Sequence, residues 1–194
     1  MKLLLYGGTF DPPHKGHVHL LRSVIEAVGP DKVVVMPAGV PPHKAASTTP
    51  GELRLAMCQC FAGCHPNLEI SGWEIARGGK NYTVDTLEML QSRFPDAEIY
   101  LSIGSDMLTS FTKWKEWQRI LQMAVLVVQS RESGDRAELT EAARVLEEAG
   151  GRVLITNVPA IPAASSEIRA GRLGDEMLPP QVLAIVKEHH LYGR

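Results

Sequence analysis

The strongest constraint on this chain is an alternation along most of its length, in which short, nearly continuous apolar runs are separated by longer amphipathic ones. Residues 2–6 (K-L-L-L-Y), 32–36 (K-V-V-V-M), 68–71, 99–103, 123–128 and 153–156 read as strands. Residues 16–28, 50–63, 83–94, 114–121 and 138–149 read as helices, as does the stretch from Ser165 onward apart from a Pro179-Pro180 break. In 83–94, Val84, Leu87 and Leu90 share one helical face. Strands this apolar are covered on both faces, and helices between them imply parallel pairing. The expectation is a Rossmann-like, doubly wound α/β sheet whose ligand sits beyond the carboxyl ends of the strands. No linker, repeat or low-complexity tract interrupts the pattern, so 1–194 reads as one domain, with 165–194 as its helical C-terminal part.

Charge and cysteine usage narrow the class. The formal net charge is −2 with no basic block, which argues against a nucleic-acid partner but not against a phosphate-binding cleft. The longest apolar run, 123–128, is strand-sized and well short of the roughly 18 residues of a membrane span. The opening M-K-L-L-L-Y-G-G lacks the apolar length and cleavage site of a signal peptide. Cys58, Cys60 and Cys64 are too few and too crowded for a disulfide framework. Lying in a helix-like apolar run with no second ligand cluster, they read as buried thiols of a cytoplasmic chain rather than half a metal site.

The chemistry is concentrated after the first strand, in Gly7-Gly8-Thr9-Phe10-Asp11-Pro12-Pro13-His14-Lys15-Gly16-His17. Gly7 and Gly8 permit a tight turn and close approach of backbone to an anion. Pro12 and Pro13 stiffen the loop. Gly16 is expected to open a helix whose unpaired N–H groups and positive dipole end favour phosphate. His14 and His17 share a helix face and can converge on one ligand, although read alone they could be locally satisfied histidines. The chain has neither G-x-x-x-x-G-K-[ST] nor G-x-G-x-x-G after the first strand. That argues against a P-loop NTPase and an ordinary dinucleotide-binding dehydrogenase.

G-G-T-F-D-P-P-H-K-G-H resembles the signature of the nucleotidyltransferase superfamily, whose hallmark is [HT]-x-G-H. With Pro41-Pro42-His43-Lys44 and Tyr82-Thr83-Val84-Asp85-Thr86-Leu87, it resembles the nicotinate-mononucleotide adenylyltransferase family in particular, and the similarity spans essentially the whole chain. The resemblance implies the nucleotidyltransferase (adenine nucleotide alpha hydrolase-like) fold, with ATP and nicotinate mononucleotide as substrates. It implies Mg²⁺ carried mainly on the ATP phosphates with no protein metal site, no nucleic-acid or membrane partner, and a monomer or homo-oligomer. It places Gly7, Gly8, Thr9, Phe10, His14, His17, Gly104, Asp106, Ser165, Ser166 and Arg169 around ATP. Gly8, Thr9, Lys44, Tyr82, Thr83, Trp114 and Arg131 fall around the pyridine nucleotide, and His14, His17, Lys44 and Arg169 carry catalysis.

Each residue type suits its role. A flexible Lys44 ammonium suits a triphosphate, though a surface lysine is the plain alternative; His43 could simply shape its loop. Thr83, at a helix start, would cap the helix with its hydroxyl while nearby N–H groups receive the pyridine carboxylate. Asp85 could equally serve the helix dipole. Asp106 would accept from ribose hydroxyls beside a close-approaching Gly104, and Trp114 would stack on the pyridine ring. Trp117, on the same expected helix, reads as core packing. Arg131 ends a strand near the nucleotide or makes a surface salt bridge. Ser165-Ser166-Glu167-Ile168-Arg169 matches the family's I-S-S-T-x-I-R, with Ala163 and Ala164 in place of Ile and the first Ser, and Ser166 in place of Thr. One hydroxyl is lost; Ser165 or Ser166 could also be a plain N-cap.

The reaction implied is attack by a phosphate monoester oxygen on the α-phosphorus of ATP. Such a monoester is largely dianionic at neutral pH, its second pKa being about 6, so it needs no general base. Catalysis is then positioning and preorganised positive charge. Two alternatives share the phosphate residues: an adenylyltransferase for nicotinamide mononucleotide or phosphopantetheine, and a non-catalytic ATP-binding sensor.

Overall fold

The computed structural model describes residues 1–39, 49–130 and 136–194. In chain order they form β1 (Lys2–Gly8), α1 (Lys15–Val28), β2 (Lys32–Pro37), α2 (Gly51–Met57), β3 (Leu68–Ile70), α3 (Trp73–Arg77), α4 (Thr83–Arg93) and β4 (Glu98–Gly104). There follow α5 (Ser105–Thr109), α6 (Trp117–Met123), β5 (Ala124–Gln129), α7 (Arg136–Glu148), β6 (Val153–Thr156), α8 (Ser165–Arg169) and α9 (Pro180–Glu188). The strands make one sheet in the order β3-β2-β1-β4-β5-β6, with every pair parallel. This is the Rossmann-like, doubly wound arrangement that the alternation predicts.

The period of two along each strand divides the core cleanly. Leu3, Leu5, Val34, Met36, Ile99, Leu101, Leu126 and Val128 point to the face covered by α4, α6 and α7. Leu4, Tyr6, Val33, Val35 and Val127 point to the other, against Leu21, Val24 and Val28 of α1 and Phe61. A smaller core joins Met57 of α2 to Ile168 of α8 and Val182 and Val186 of α9. Among the described residues no helix is long and apolar enough to cross a membrane.

Two local expectations change, and one short helix is added. The 50–63 helix is α-helical only to Met57; Cys58–Cys64 tightens into a 3-10 segment around Phe61, where Gly63 weakens the α-helix. The helix expected from Trp114 begins at Trp117, because Glu116 takes a left-handed conformation (φ 53°) and Trp114 is extended. The two tryptophans therefore stand on different elements. Helix α3, a single turn between Gly72 and Gly78, is too short to show periodicity. The three cysteines are free thiols, Cys58 buried and the others half-buried; burial pushes the Cys60 thiol up to about 12 and Cys58 higher still.

Phe61 is fully buried, with its ring 5.2 Å from Phe10 and edge-on to Tyr6 at 5.8 Å. Phe61→Ala is expected to cost about 3–5 kcal/mol. The check is a lower urea midpoint at unchanged slope.

Candidate active site

The chain leaves β1 into α1 on one face of the sheet and leaves β4 towards α6 on the other. Their carboxyl ends diverge and open a cleft of about 860 Å³. Gly7 and Gly8 close β1 at its floor, Gly104 closes β4, and Gln129, opposite Gly104 in the register, closes β5. The start of α1 and the segment from Ala160 to Ser166 form the walls, with Arg169 at the rim.

Helix α1 starts one residue earlier than Gly16, at Lys15, because His14 is its N-cap. His14 Nδ1 accepts from the His17 N–H at 3.3 Å, and His17 Nδ1 accepts from the His14 N–H at 3.2 Å. This is a capping box built from two histidines. The rings stack, with centroids 3.8 Å apart. An Nδ1 that accepts from backbone carries no proton, so each neutral ring holds its hydrogen on Nε2 and acts as a donor there. Both rings line the cleft. Gly16 permits the stack, since a Cβ there would lie 3.0 Å from the His14 ring.

Gly7 and Gly8 lie in the strand rather than in a turn. The turn falls on Phe10, whose φ of 51° lets its ring fold back over Gly8, where a Cβ would lie 2.9 Å from the ring. Thr9 and Phe10 line the cleft, with Phe10 buried in the core below.

Three side chains from distant segments hold this loop. Arg54 of α2, 4% exposed, donates to the carbonyls of Thr9 (2.9 Å), Ala38 (2.7 Å) and Thr49 (3.3 Å). Ser165 Oγ donates to the Pro12 carbonyl at 2.9 Å, and Arg169 Nη1 to the Asp11 carbonyl at 2.6 Å. Ser165 is thus not an N-cap: Ala164 holds that position, without a side-chain bond. Ser166, Gly104 and Asp106 also line the cleft. The structure therefore brings together all eleven residues expected around ATP.

Tyr82, Thr83 and Trp114 are not among the lining residues of that cleft. Tyr82 and Trp114 pack on the α4 and α6 face, where Lys115 Nζ stands 4.5 Å over the Tyr82 ring and Trp114 lies 5.0 Å from Phe111. Thr83 is the first residue of α4, not its cap; Tyr82 holds the cap position, and no side chain caps the helix. Asp85 pairs with Arg77 at 2.9 Å, and Arg77 lies over Trp73. These separate pairs set cations over aromatic faces, Arg77 on Trp73 and Lys115 on Tyr82. Lys44, His43 and Arg131 lie outside the described residues.

Sequence reasoning passed over Arg54 and Glu74. Arg54 had a signal: it lies in helical register with Met57, Cys58 and Phe61, all buried, so a charge falls on an apolar stripe. Glu74 accepts from the Thr86 hydroxyl (2.7 Å) and the Gly39 N–H (3.3 Å), joining the loop after β2 to α4. Asn81 donates to the Glu74 carbonyl, and a Cβ on Gly39 would lie 2.3 Å from its amide nitrogen, so only glycine fits.

A parallel sheet of this order, with a histidine pair capping the first helix and a Ser/Arg block bonded to the loop before it, is the architecture of a nucleotidyltransferase. The sequence profile described as cytidylyltransferase-like matches residues 5–171. Curated relatives named "Probable nicotinate-nucleotide adenylyltransferase" include one from Acidithiobacillus ferrooxidans, 35% identical over 98% of this chain and 95% of its own. Another, from Neisseria meningitidis, is 36% identical over 100% of this chain and 99% of its own. The chain belongs to the cytidylyltransferase-like family and, within it, to the nicotinate-nucleotide adenylyltransferases. Its fold is shared by the nicotinic acid mononucleotide adenylyltransferase of Plasmodium falciparum solved with NaAD, at TM-score 0.79 and 16% identity, over 99% of this chain and 97% of that one.

Burial raises the Glu74 carboxyl above its ordinary 4.5, with the Thr86 and Gly39 bonds opposing. The folded chain then holds this proton more tightly than the unfolded chain. The associated stability is fully present below 4.5 and is lost as pH rises through the folded value. Glu74→Gln is expected to gain stability relative to the parent as pH goes from 4.5 to 7. Urea midpoints at the two pH values test this, and a constant difference refutes it.

Proposed function

We propose that this chain transfers AMP from ATP to nicotinate mononucleotide, giving nicotinate adenine dinucleotide and pyrophosphate. The observation that carries the proposal is the stacked His14–His17 pair at the start of α1, lining one cleft with Ser165, Ser166 and Arg169, of which Ser165 and Arg169 are bonded to the same loop. Directional donors from the two segments match a triphosphate, and family membership supplies the acceptor. A sensor has no need of such donors around reacting phosphate, which favours catalysis.

ATP lies with its phosphates between these walls. Gly7, Gly8, Thr9 and Phe10 run beneath it, and Gly104 and Asp106 meet the ribose. His14 and His17 donate from Nε2 to α-phosphoryl oxygens. Arg169 keeps donors for the β and γ phosphates after using one on Asp11, and Lys44 adds a positive charge for them. The pyridine mononucleotide extends from Gly8 and Thr9 to Tyr82, Thr83 and Trp114, and Arg131 is assigned to it as a further cation. Its 5′-phosphate oxygen attacks the α-phosphorus, the bond to the bridging oxygen breaks, and pyrophosphate leaves. Because the nucleophile is already anionic, these residues position it and stabilise charge rather than remove a proton.

Mg²⁺ fits this site as an ion that arrives on the triphosphate. It favours phosphate and water oxygens with few protein ligands. Asp11 and Asp106 are the carboxylates among the lining residues and would supply any such ligand. When bound, the ion offsets charge on the leaving pyrophosphate. The chain acts as one domain over 1–194, with 165–194 bringing the second phosphate block. Its free thiols suit the cytoplasm.

Pyrophosphate release is to be measured with ATP and Mg²⁺, offering nicotinate mononucleotide, nicotinamide mononucleotide and phosphopantetheine in turn. Preference for the first, with the product mass of the deamido dinucleotide, is expected. Preference for another acceptor overturns the pyridine assignment, and ATP binding with no release overturns catalysis. His17→Ala is expected to lower kcat about 10²–10³-fold, by analogy with loss of an oxyanion donor. Near-normal turnover at saturating ATP would remove His17 from the mechanism.

A further inference from the structure

The loop around Asp11 and the α8 block are far apart in sequence, yet both must meet one triphosphate. A third segment ties them together. In the 3-10 turn Leu191–Gly193, Tyr192 donates its hydroxyl to Asp11 Oδ1 at 2.6 Å. The same Asp11 accepts Arg169 Nη1 on its main-chain carbonyl at 2.6 Å. Arg194 donates Nη2 to the carbonyls of Ile168 (3.1 Å) and Leu173 (2.5 Å), and pairs with Asp175. One short segment thus grips the loop through Tyr192 and the end of α8 through Arg194.

We propose that Tyr192 is a positioning residue for nucleotide transfer, bracing Asp11 so that His14 and Arg169 meet the same triphosphate; the proposal rests on the function given above. Asp11 is 4% exposed, and a carboxylate so buried is tolerated only with hydrogen-bond donors about it. From Asp11 the chain reaches His14 through Pro12 and Pro13, whose fixed φ angles leave little slack. A shift at Asp11 is passed to the His14 ring on one side and to the Arg169 guanidinium on the other. The backbone gives an independent sign. His190 (φ 49°) and Tyr192 (φ 58°) both take the left-handed conformation without being glycine. Such strain persists where surrounding contacts fix it, and it clusters at functional sites. Burial and Asp11 also push the Tyr192 phenol well above its ordinary value, so it remains a donor at neutral pH.

The test uses Tyr192→Phe, Arg169→Lys and the double variant, read by ATP affinity in calorimetry and by kcat and KM for pyrophosphate release. Tyr192→Phe keeps the ring and loses the bond to Asp11, together with the longer one that the hydroxyl accepts from Thr49 Oγ1 at 3.4 Å. It is expected to weaken ATP binding and lower kcat, each about 10-fold. The double variant is expected to fall short of the product of the single losses, since both act through Asp11. A purely structural tyrosine would lower the melting temperature yet leave affinity and kcat per folded molecule within about twofold, and that result overturns the proposal. Fully multiplicative losses overturn it as well. If Tyr192→Phe does not fold, Arg194→Gln gives the reading from the α8 side, with a loss of about fivefold in ATP affinity expected and parental affinity refuting. Tight ATP binding by the parent without pyrophosphate release would sink the proposed function, while the affinity measurements still decide the brace.

Discussion

Because β1 lies in the middle of the sheet, with β2 on one side and β4 on the other, the chain must leave those central strands towards opposite faces. No loop can then cover the space beyond their carboxyl ends. Gly7, Gly8 and Gly104 end the two strands at that opening, and the start of α1 is delivered to its edge. The nucleotide cleft is a consequence of strand order before any side chain is considered.

What the cleft then needs is a loop that keeps its shape when a polyanion arrives. Here the fastening is mostly to main-chain carbonyls: Arg54 to Thr9, Ser165 to Pro12, Arg169 to Asp11. A carbonyl neutralises nothing, so the cations that hold the loop keep their charge for phosphate. The histidine pair follows the same economy, each ring holding the other's backbone through Nδ1 and donating through Nε2. Structural and ligand-binding roles are divided between atoms of one side chain.

How much of this could be read from the sequence differs by element. The six strands and their parallel order follow from apolar runs whose period is local, and the loop from Gly7 to His17 is contiguous. Residues expected around ATP converge because they sit at strand ends or helix starts, positions that topology fixes. The misreadings are of another kind. Thr83 is expected as a cap because hydroxyls favour that role, but Tyr82 holds that position; the plain N-cap alternative for Ser165 gives way likewise to Ala164, and Ser165 is drawn to Pro12. Trp114 left its expected helix because of one left-handed residue, Glu116. Glu74, Arg54 and Tyr192 act through partners remote in the chain, Tyr192 reaching back to Asp11. No local pattern announces such a contact, though a charge on an apolar stripe does mark Arg54.

Arg54 also bears on how the cleft responds to its medium. Its guanidinium is nearly sealed from solvent, and among the described residues it forms no ion pair with a carboxylate. Dissolved ions weaken attraction between charges they can surround; they cannot gather around one enclosed in protein. Its field reaches the phosphate loop through low-dielectric material, where it decays less than across water. The charge behind the Thr9 carbonyl thus biases the loop's potential towards anions, and added salt screens it less than it would an exposed lysine.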